Sequence, residues 1–372
     1  MEQITGPEEN FDLNKAIKAA TEKAERERGH FNIIIAGRSG VGKSTLINSV
    51  FQGKMAETGS GRPITTDIRE ITKEGVPMTI FDTRGLEMSA IDETRDAIVK
   101  LIEERNNDRD PNRHIHAAWL CIAEDSRRVE DAEIELQRVL ADKVPLIAVI
   151  TKARNDDGFR SQVQKLLPEA KNVVRVRALG ETLDDGHVIP PWNLDTLIDA
   201  TTEIIPEGQR MALAAAQIAS LKYKRTQSHK SVLVAATAAA ATGASPIPFS
   251  DAIILIPIQI GMVAKITSTY GLDFSTGTLS TFVTAGLGTV GTTFAGRTIV
   301  SNLLKFIPGG GTIAGGAISA ATAAALTTAL GEAYNAALFN LLKDDPELQP
   351  TPDMIVAAFK QEIHLGGKDK QA

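Results

Sequence analysis

FNIIIAGRSGVGKSTLINSVF, residues 31–51, decides the fold. Five of the first six residues are apolar and three are β-branched isoleucines, the pattern of a strand buried on both faces. Gly37-Arg38-Ser39-Gly40-Val41-Gly42-Lys43-Ser44 follows at once and satisfies GxxxxGK[ST], and Thr45-Leu-Ile-Asn-Ser-Val-Phe continues as a helix. The pattern sits at the strand-to-helix junction that its chemistry requires. Glycines let backbone amides close around phosphate oxygens without Cβ atoms in the way, and the helix N-terminus adds partial positive charge. Gly37 through Thr45 therefore read as a phosphate cradle, with Lys43 directed to the β- and γ-phosphates and Ser44 to Mg2+.

Outward from this loop, strand and helix patterns alternate. VPMTIFDTRG (76–85), HAAWLCIA (116–123), VPLIAVITK (144–152) and VVRVRAL (173–179) read as strands, and the stretches beginning at Asp92, Asp131 and Phe159 read as helices. This order implies an α/β fold with a mainly parallel sheet covered on both faces. DIREITKE (67–74) reads as an edge strand. Asp82-Thr83-Arg84-Gly85 ends the second apolar strand, which places the Asp82 carboxylate beside the metal and the Gly85 amide near the γ-phosphate. A common ATPase carries a second acid directly after that aspartate, whereas Thr83 stands there. Between the two motifs, Gly61-Arg62-Pro63-Ile64-Thr65-Thr66 reads as a loop whose threonine covers Mg2+ and the γ-phosphate and lets go after hydrolysis.

With these residues in place, the chain resembles a GTPase of the translation-factor-related class, in the branch that includes Era-like, septin-like and immunity-related GTPases. The similarity covers roughly residues 31–205 and rests on GRSGVGKS, PITTDI and DTRGLE. The resemblance implies GTP and GDP as ligands with Mg2+ held by Ser44, Asp82 and Thr66, or Thr65 in its place. It also implies a guanine-reading [NT]KxD after the next long strand and an Ala-containing loop after the one following. Thr151-Lys152-Ala153-Arg154 and Ala178 stand at those places, so Arg154 replaces the expected aspartate. Asp156 or Asp157 would then have to reach the base. Leu86 follows Gly85 where Ras-like relatives have a water-orienting glutamine, which implies slow intrinsic turnover. Gly40 occupies the place of the asparagine found in potassium-activated relatives. Arg38 and Arg84 are candidate charge donors, or plain loop arginines. Cys121 reads as a core residue, His114 and His116 have no evident metal partner, and Trp192 reads as an anchor before a helix.

Composition breaks sharply beyond residue 230. The chain has 372 residues, 40 Lys+Arg, 46 Asp+Glu and 43% hydrophobic residues, so wholesale disorder is excluded. Yet between 231 and 342 only Asp251, Lys265, Asp273, Arg297, Lys305 and Glu332 are charged. The domains expected are an amphipathic helix in 1–30, a GTPase domain in 31–207, a charge-poor helical domain in 208–345 and a tail in 346–372. PIPFSD, Gln259 and Tyr270-Gly271 resemble the domain of unknown function that follows such GTPases in bacteria. Helices are expected at 231–242, 249–269, 277–304 and 313–342, drawn close by glycines such as Gly286, Gly288 and Gly315. Lys222, Lys224, Arg225 and Lys230 precede the region as a juxtamembrane cluster would. The nine Ser/Thr and five Gly of 274–296 oppose stable insertion, which favours peripheral contact with a membrane surface or a protein effector. The acidic start and single cysteine lead us to expect the cytosol, the charge-poor helical region adds peripheral contact at the inner face of the cell membrane, and the shortage of basic residues argues against nucleic acid. The leading reading is a GTP-hydrolysing switch that controls the helical domain. A septin- or dynamin-like assembler, with a nucleotide-dependent homodimer, and a P-loop ATPase are the alternatives.

Overall fold

In the computed structural model, which describes residues 12–58, 60–64, 68–83, 91–242, 251–272, 279 and 320–365, every side chain of β1 (Phe31–Ala36) is buried. β1 lies at the centre of a seven-stranded sheet of order β2-β3-β4-β1-β5-β6-β7. Its neighbours are β4 (Met78–Thr83) and β5 (Ala117–Ala123), followed by β6 (Leu146–Thr151) and β7 (Asn172–Arg175), all parallel. The antiparallel strands β2 (Ser60–Pro63) and β3 (Ile68–Thr72) extend the other side. The expected α/β fold with a mainly parallel sheet is therefore present. One expectation changes: the strand within 67–74 is not the edge, because residues 60–63 pair outside it. Pro63 lacks a backbone N–H and is tolerated there because an edge strand leaves one row of donors unused.

Strand periodicity divides the core. Phe31, Ile33 and Ile35 face a cluster containing Leu46, Ile47, Trp119, Leu197 and Leu213. Ile34 and Ala36 face the other, with Ile98, Leu120, Leu136 and Val163. The first face is covered by α2 (Lys43–Val50), α7 (Leu194–Ile204) and α8 (Arg210–Ala216), the second by α4 (Ile91–Asn106), α5 (Asp131–Lys143) and α6 (Phe159–Leu166). With eight residues, α2 is too short to persist alone in water. Burial of Leu46, Ile47 and Val50, at roughly 1.5–3 kcal/mol each, holds it on the sheet. Trp119 closes this face by donating its indole N–H to Thr201 Oγ1 at 3.0 Å.

The chain divides into two compact units, Arg28–Gln227 and Met1–Glu27 with Ser228–Ala372. The expected boundary at 207/208 differs from this division, because α8 carries five fully buried residues into the sheet unit. The helical unit contains α1 (Leu13–Arg28) up to Glu27, most of the described helix α9 (Leu221–Thr242), α10 (Asp251–Tyr270), α11 (Ala320–Leu342) and α12 (Pro352–Leu365). α1 buries Ile17, Thr21 and Ala24, and Glu27 pairs with Lys265 of α10 at 2.5 Å. α9, α10 and α11 converge at Gly331, where an added Cβ would lie 2.7 Å from both Val232 Cγ2 and Met262 Sδ. Tyr334 Oη shares a 2.7 Å hydrogen bond with Thr267 Oγ1. The stretch expected as a tail instead forms α12, with Phe359 buried edge-on to Tyr334, because Ile355, Phe359 and Ile363 recur at helical spacing. Residues 280–319, which hold Gly286, Gly288 and Gly315, lie outside the described residues.

Candidate nucleotide-binding site

The C-terminal ends of β1, β4, β5 and β6 meet at one rim, where open parallel sheets bind ligands. Leaving β1, Gly37 takes φ 143°. A Cβ there would lie 2.4 Å from the Cys121 carbonyl oxygen of β5, so only glycine lets the two strands diverge at this point. Gly40 and Gly42 also take positive φ, and Gly42 is the residue that opens α2. Lys43 is buried, and its Nζ donates to the carbonyls of Gly37 at 2.7 Å and Arg38 at 3.1 Å. The ammonium is thereby folded across its own loop. Burial lowers its pKa, opposed by the charge of Asp82. Asp82 is in register with Ile35 of β1, which sets its carboxylate beside the root of the loop. Ser44 is exposed in the first turn of α2, and Ser39 is exposed at the loop's crest.

Two side chains secure the loop from outside. Thr151, at the end of β6, buries its hydroxyl and approaches the Val41 carbonyl at 2.5 Å. Arg38 pairs with Glu130 at 2.9 Å, and Glu130 also takes Arg128 at 2.6 Å while it caps α5. Arg38 is thus engaged within its own unit.

Beyond α2 lies a cavity of about 370 Å³ lined by Gly42, Thr45, Asp125, Thr151, Lys152, Arg154, Arg177, Ala178, Leu179, Gly180 and Glu181. Thr151, Lys152 and Ala178 are therefore brought together, with Thr45 and Gly42 closing the phosphate end. Lys152 adopts φ 54° and its Nζ lies 3.2 Å from Asp125. Asp156 is placed elsewhere: its carboxylate accepts from the Arg160 amide at 2.8 Å, opening α6, and lies 3.6 Å from Arg175. Asp157 adopts φ 41° in the same turn. Thr65, Thr66, Arg84, Gly85 and Leu86 lie outside the described residues.

Two carboxylates escaped the sequence. Glu124 is buried and accepts from the amides of Arg154 at 2.5 Å and Asn155 at 2.8 Å and from Arg175 Nε at 2.6 Å. Burial raises its pKa, but the Arg175 ion pair and the two amides outweigh this and the net shift is downward. Glu181, on the short strand β8 (Glu181–Thr182), accepts from Arg154 Nε at 2.8 Å and also from its Nη2. Its place three residues after Ala178 was the available signal.

The remaining polar candidates form hydrogen bonds. His116 Nδ1 accepts from the Asn32 amide at 2.9 Å while Nε2 faces the Pro111 carbonyl at 2.9 Å, and burial lowers its pKa to about 4. His114 Nε2 meets the Asp108 carbonyl at 2.7 Å. Burial raises the Cys121 thiol to about 12, so it is inert core. Trp192 is half exposed, with Arg175 over its ring at 5.7 Å.

Residues 32–152 match the family described as 50S ribosome-binding GTPase, and residues 210–362 match a domain of unknown function, DUF697. The chain carries a P-loop GTPase domain followed by a DUF697 domain. The chain is 29% identical to Septin-9 of Mus musculus over 56% of this chain and 38% of that protein. It is 26% identical to the tRNA modification GTPase MnmE of Clostridioides difficile (strain 630), over 46% of this chain and 37% of that one. A shorter stretch, 22% of this chain, is 38% identical to 6% of Translocase of chloroplast 159 of Arabidopsis thaliana. The chain thus spans about two fifths or less of the length of each of these relatives.

Proposed function

We propose that the chain binds GTP and hydrolyses it to GDP and phosphate, using the state of the γ-phosphate to alter what its helical unit contacts. The observation that carries this reading is the loop from Gly37 to Ser44, with its left-handed glycines and a buried lysine held within reach of the phosphate site. In this proposal the loop amides enclose the phosphates, and Lys43 leaves the Gly37 and Arg38 carbonyls for the β- and γ-oxygens. An exposed serine hydroxyl and a nearby carboxylate are hard oxygen donors, which fits Mg2+ at Ser44 and Asp82. The ion's contribution is to neutralise charge on the β- and γ-phosphates. Thr66, or Thr65, and the Gly85 amide would meet the γ-phosphate, and Leu86 supplies no group that orients water. Slow turnover without a partner follows.

For the helical unit we propose a membrane surface or a protein effector as the contact, on the grounds of its charge-poor sequence. No helix among the described residues is long and apolar enough to cross a membrane. Lys224 does not belong to a basic face toward lipid: it is buried, donates to the Ala215 carbonyl at 3.2 Å, and has its pKa lowered to about 7 by burial. A nucleotide-dependent assembly is the second reading. It is favoured by exposed Leu179, Leu183, Val188 and Trp192, clustered in sequence around β8 and β9 (Val188–Ile189) next to the cavity. Calorimetric titration of the full chain with GTP and ATP in Mg2+, with phosphate release followed in parallel, tests the central reading. Binding of neither nucleotide would end it. Growth in light scattering with GTP alone would support assembly.

A further inference from the structure

A guanine base presents two adjacent donors, N1–H and the N2 amino group, and a site that leaves them unpaired gains little over other purines. The chain lacks an acid at residue 154, where the resemblance expects one, and Asp156 is committed to the start of α6. Glu124 is committed as well, since two amides and Arg175 occupy its oxygens. Two carboxylates remain on the cavity wall, Asp125 and Glu181.

Geometry separates these two. The Asp125 side chain is 61% exposed and held by one flexible lysine, while that of Glu181 is 34% exposed and held by a guanidinium through two hydrogen bonds. A planar fork fixes the plane of its carboxylate, which a lysine cannot do. Each carboxylate oxygen offers about two lone-pair directions, so Arg154 uses one on each and leaves one on each. Glu181 also lies three residues beyond Ala178 and shares the cavity with Thr45 and Gly42 at the phosphate end.

We infer that Glu181 is the guanine-reading acid of this chain and that Arg154 is its positioning residue. The acid then stands on the hairpin strand β8 rather than in the loop after β6, and Arg154, at the place where the resemblance expects an acid, holds it there. Arg154 therefore counts toward guanine selection. The inference rests on the GTP reading above and deepens it.

The test is equilibrium binding of GTP, inosine triphosphate and xanthosine triphosphate to the full chain in Mg2+. Inosine lacks the N2 amino group, and xanthine carries an oxygen acceptor in its place. The wild-type chain should bind GTP about tenfold or more tightly over the inosine nucleotide, the scale of one unmade hydrogen bond to a charged group. Glu181→Gln should lose that margin and turn toward xanthosine triphosphate, because its amide donates where the carboxylate accepted. Arg154→Ala should narrow the GTP-to-inosine ratio with affinity for the inosine nucleotide unchanged, which a merely structural role would not produce. Asp125→Asn should keep the ratio. A Glu181→Gln chain, or an Arg154→Ala chain if the first fails to fold, that retains the wild-type ratio overturns the inference. So does loss of the ratio in Asp125→Asn, or a wild-type chain that binds all three equally, and the latter leaves the phosphate-site reading standing. A wild-type chain that binds none of them defeats both.

Discussion

Gly37 and Gly40 belong to the same loop, both with positive φ, yet alanine should affect them differently. At Gly40, φ is 76° and an added Cβ meets nothing within 4 Å, so the cost is the left-handed backbone alone, about 1–2 kcal/mol. At Gly37, φ is 143° and the same atom would lie 2.4 Å from the Cys121 carbonyl oxygen, which is backbone in the middle of a sheet. Strain of about 1–3 kcal/mol at that φ is joined by about 1–3 kcal/mol for forcing β1 and β5 apart. The midpoints differ by about 2.5 kcal/mol, or a gap of roughly 5–10 °C in melting temperature for a unit of about 200 residues. Urea or thermal unfolding without nucleotide measures it directly, since no ligand then masks the loop. A Gly40→Ala chain that loses as much stability as Gly37→Ala would show that the Cys121 contact does not set the requirement.

Lys43→Ala should abolish nucleotide binding, and Asp82→Asn should abolish magnesium-dependent hydrolysis with melting nearly unchanged; phosphate release and calorimetry check both, and unimpaired turnover in either refutes the assignment. His116 has a folded pKa near 4, below its unfolded value, so its neutral form stabilises the fold above about pH 6.5 and that contribution, about 3 kcal/mol, is lost as pH falls toward 4. His116→Gln should therefore flatten the pH dependence of denaturant stability over that window, and an unchanged slope counts against it. Gly331→Ala gains about 1 kcal/mol of helix propensity but meets Val232 and Met262 at 2.7 Å, an overlap costing about 1–3 kcal/mol. Because Val232 is stiff at χ1, net destabilisation of about 1 kcal/mol is expected. A higher melting temperature would refute the close approach.

The phosphate loop was legible because its requirements are local: a strand, glycines and a lysine in a fixed order. The sheet was legible for a similar reason, since strands buried on both faces carry continuous apolar runs. What escaped depended on distance in sequence. Nothing in Gly61-Arg62-Pro63 announces a strand, because its partner and not its composition makes it one. Lys224 looked like a surface cation in a cluster of four, and only the fold shows it buried with its ammonium on the Ala215 carbonyl of α8. Glu181 stood in a polar loop with no pattern of its own, and its relation to Arg154 exists only once the hairpin folds over the cavity wall. The helical unit showed its class through its lack of charge, but Gly331, where three helices meet, was one small residue among many.

Residues up to Glu27 belong to one compact unit with those from Ser228 onward, so in sequence the GTPase interrupts that unit. During synthesis, α1 emerges first and must wait for the partner of Glu27, Lys265, until the whole intervening unit has left the ribosome. At about 5–20 residues per second that delay is roughly ten seconds or more. For that interval Ile17 and Ala24 have no finished core to enter, and a chaperone has time to hold the nascent helix before the C-terminal half arrives.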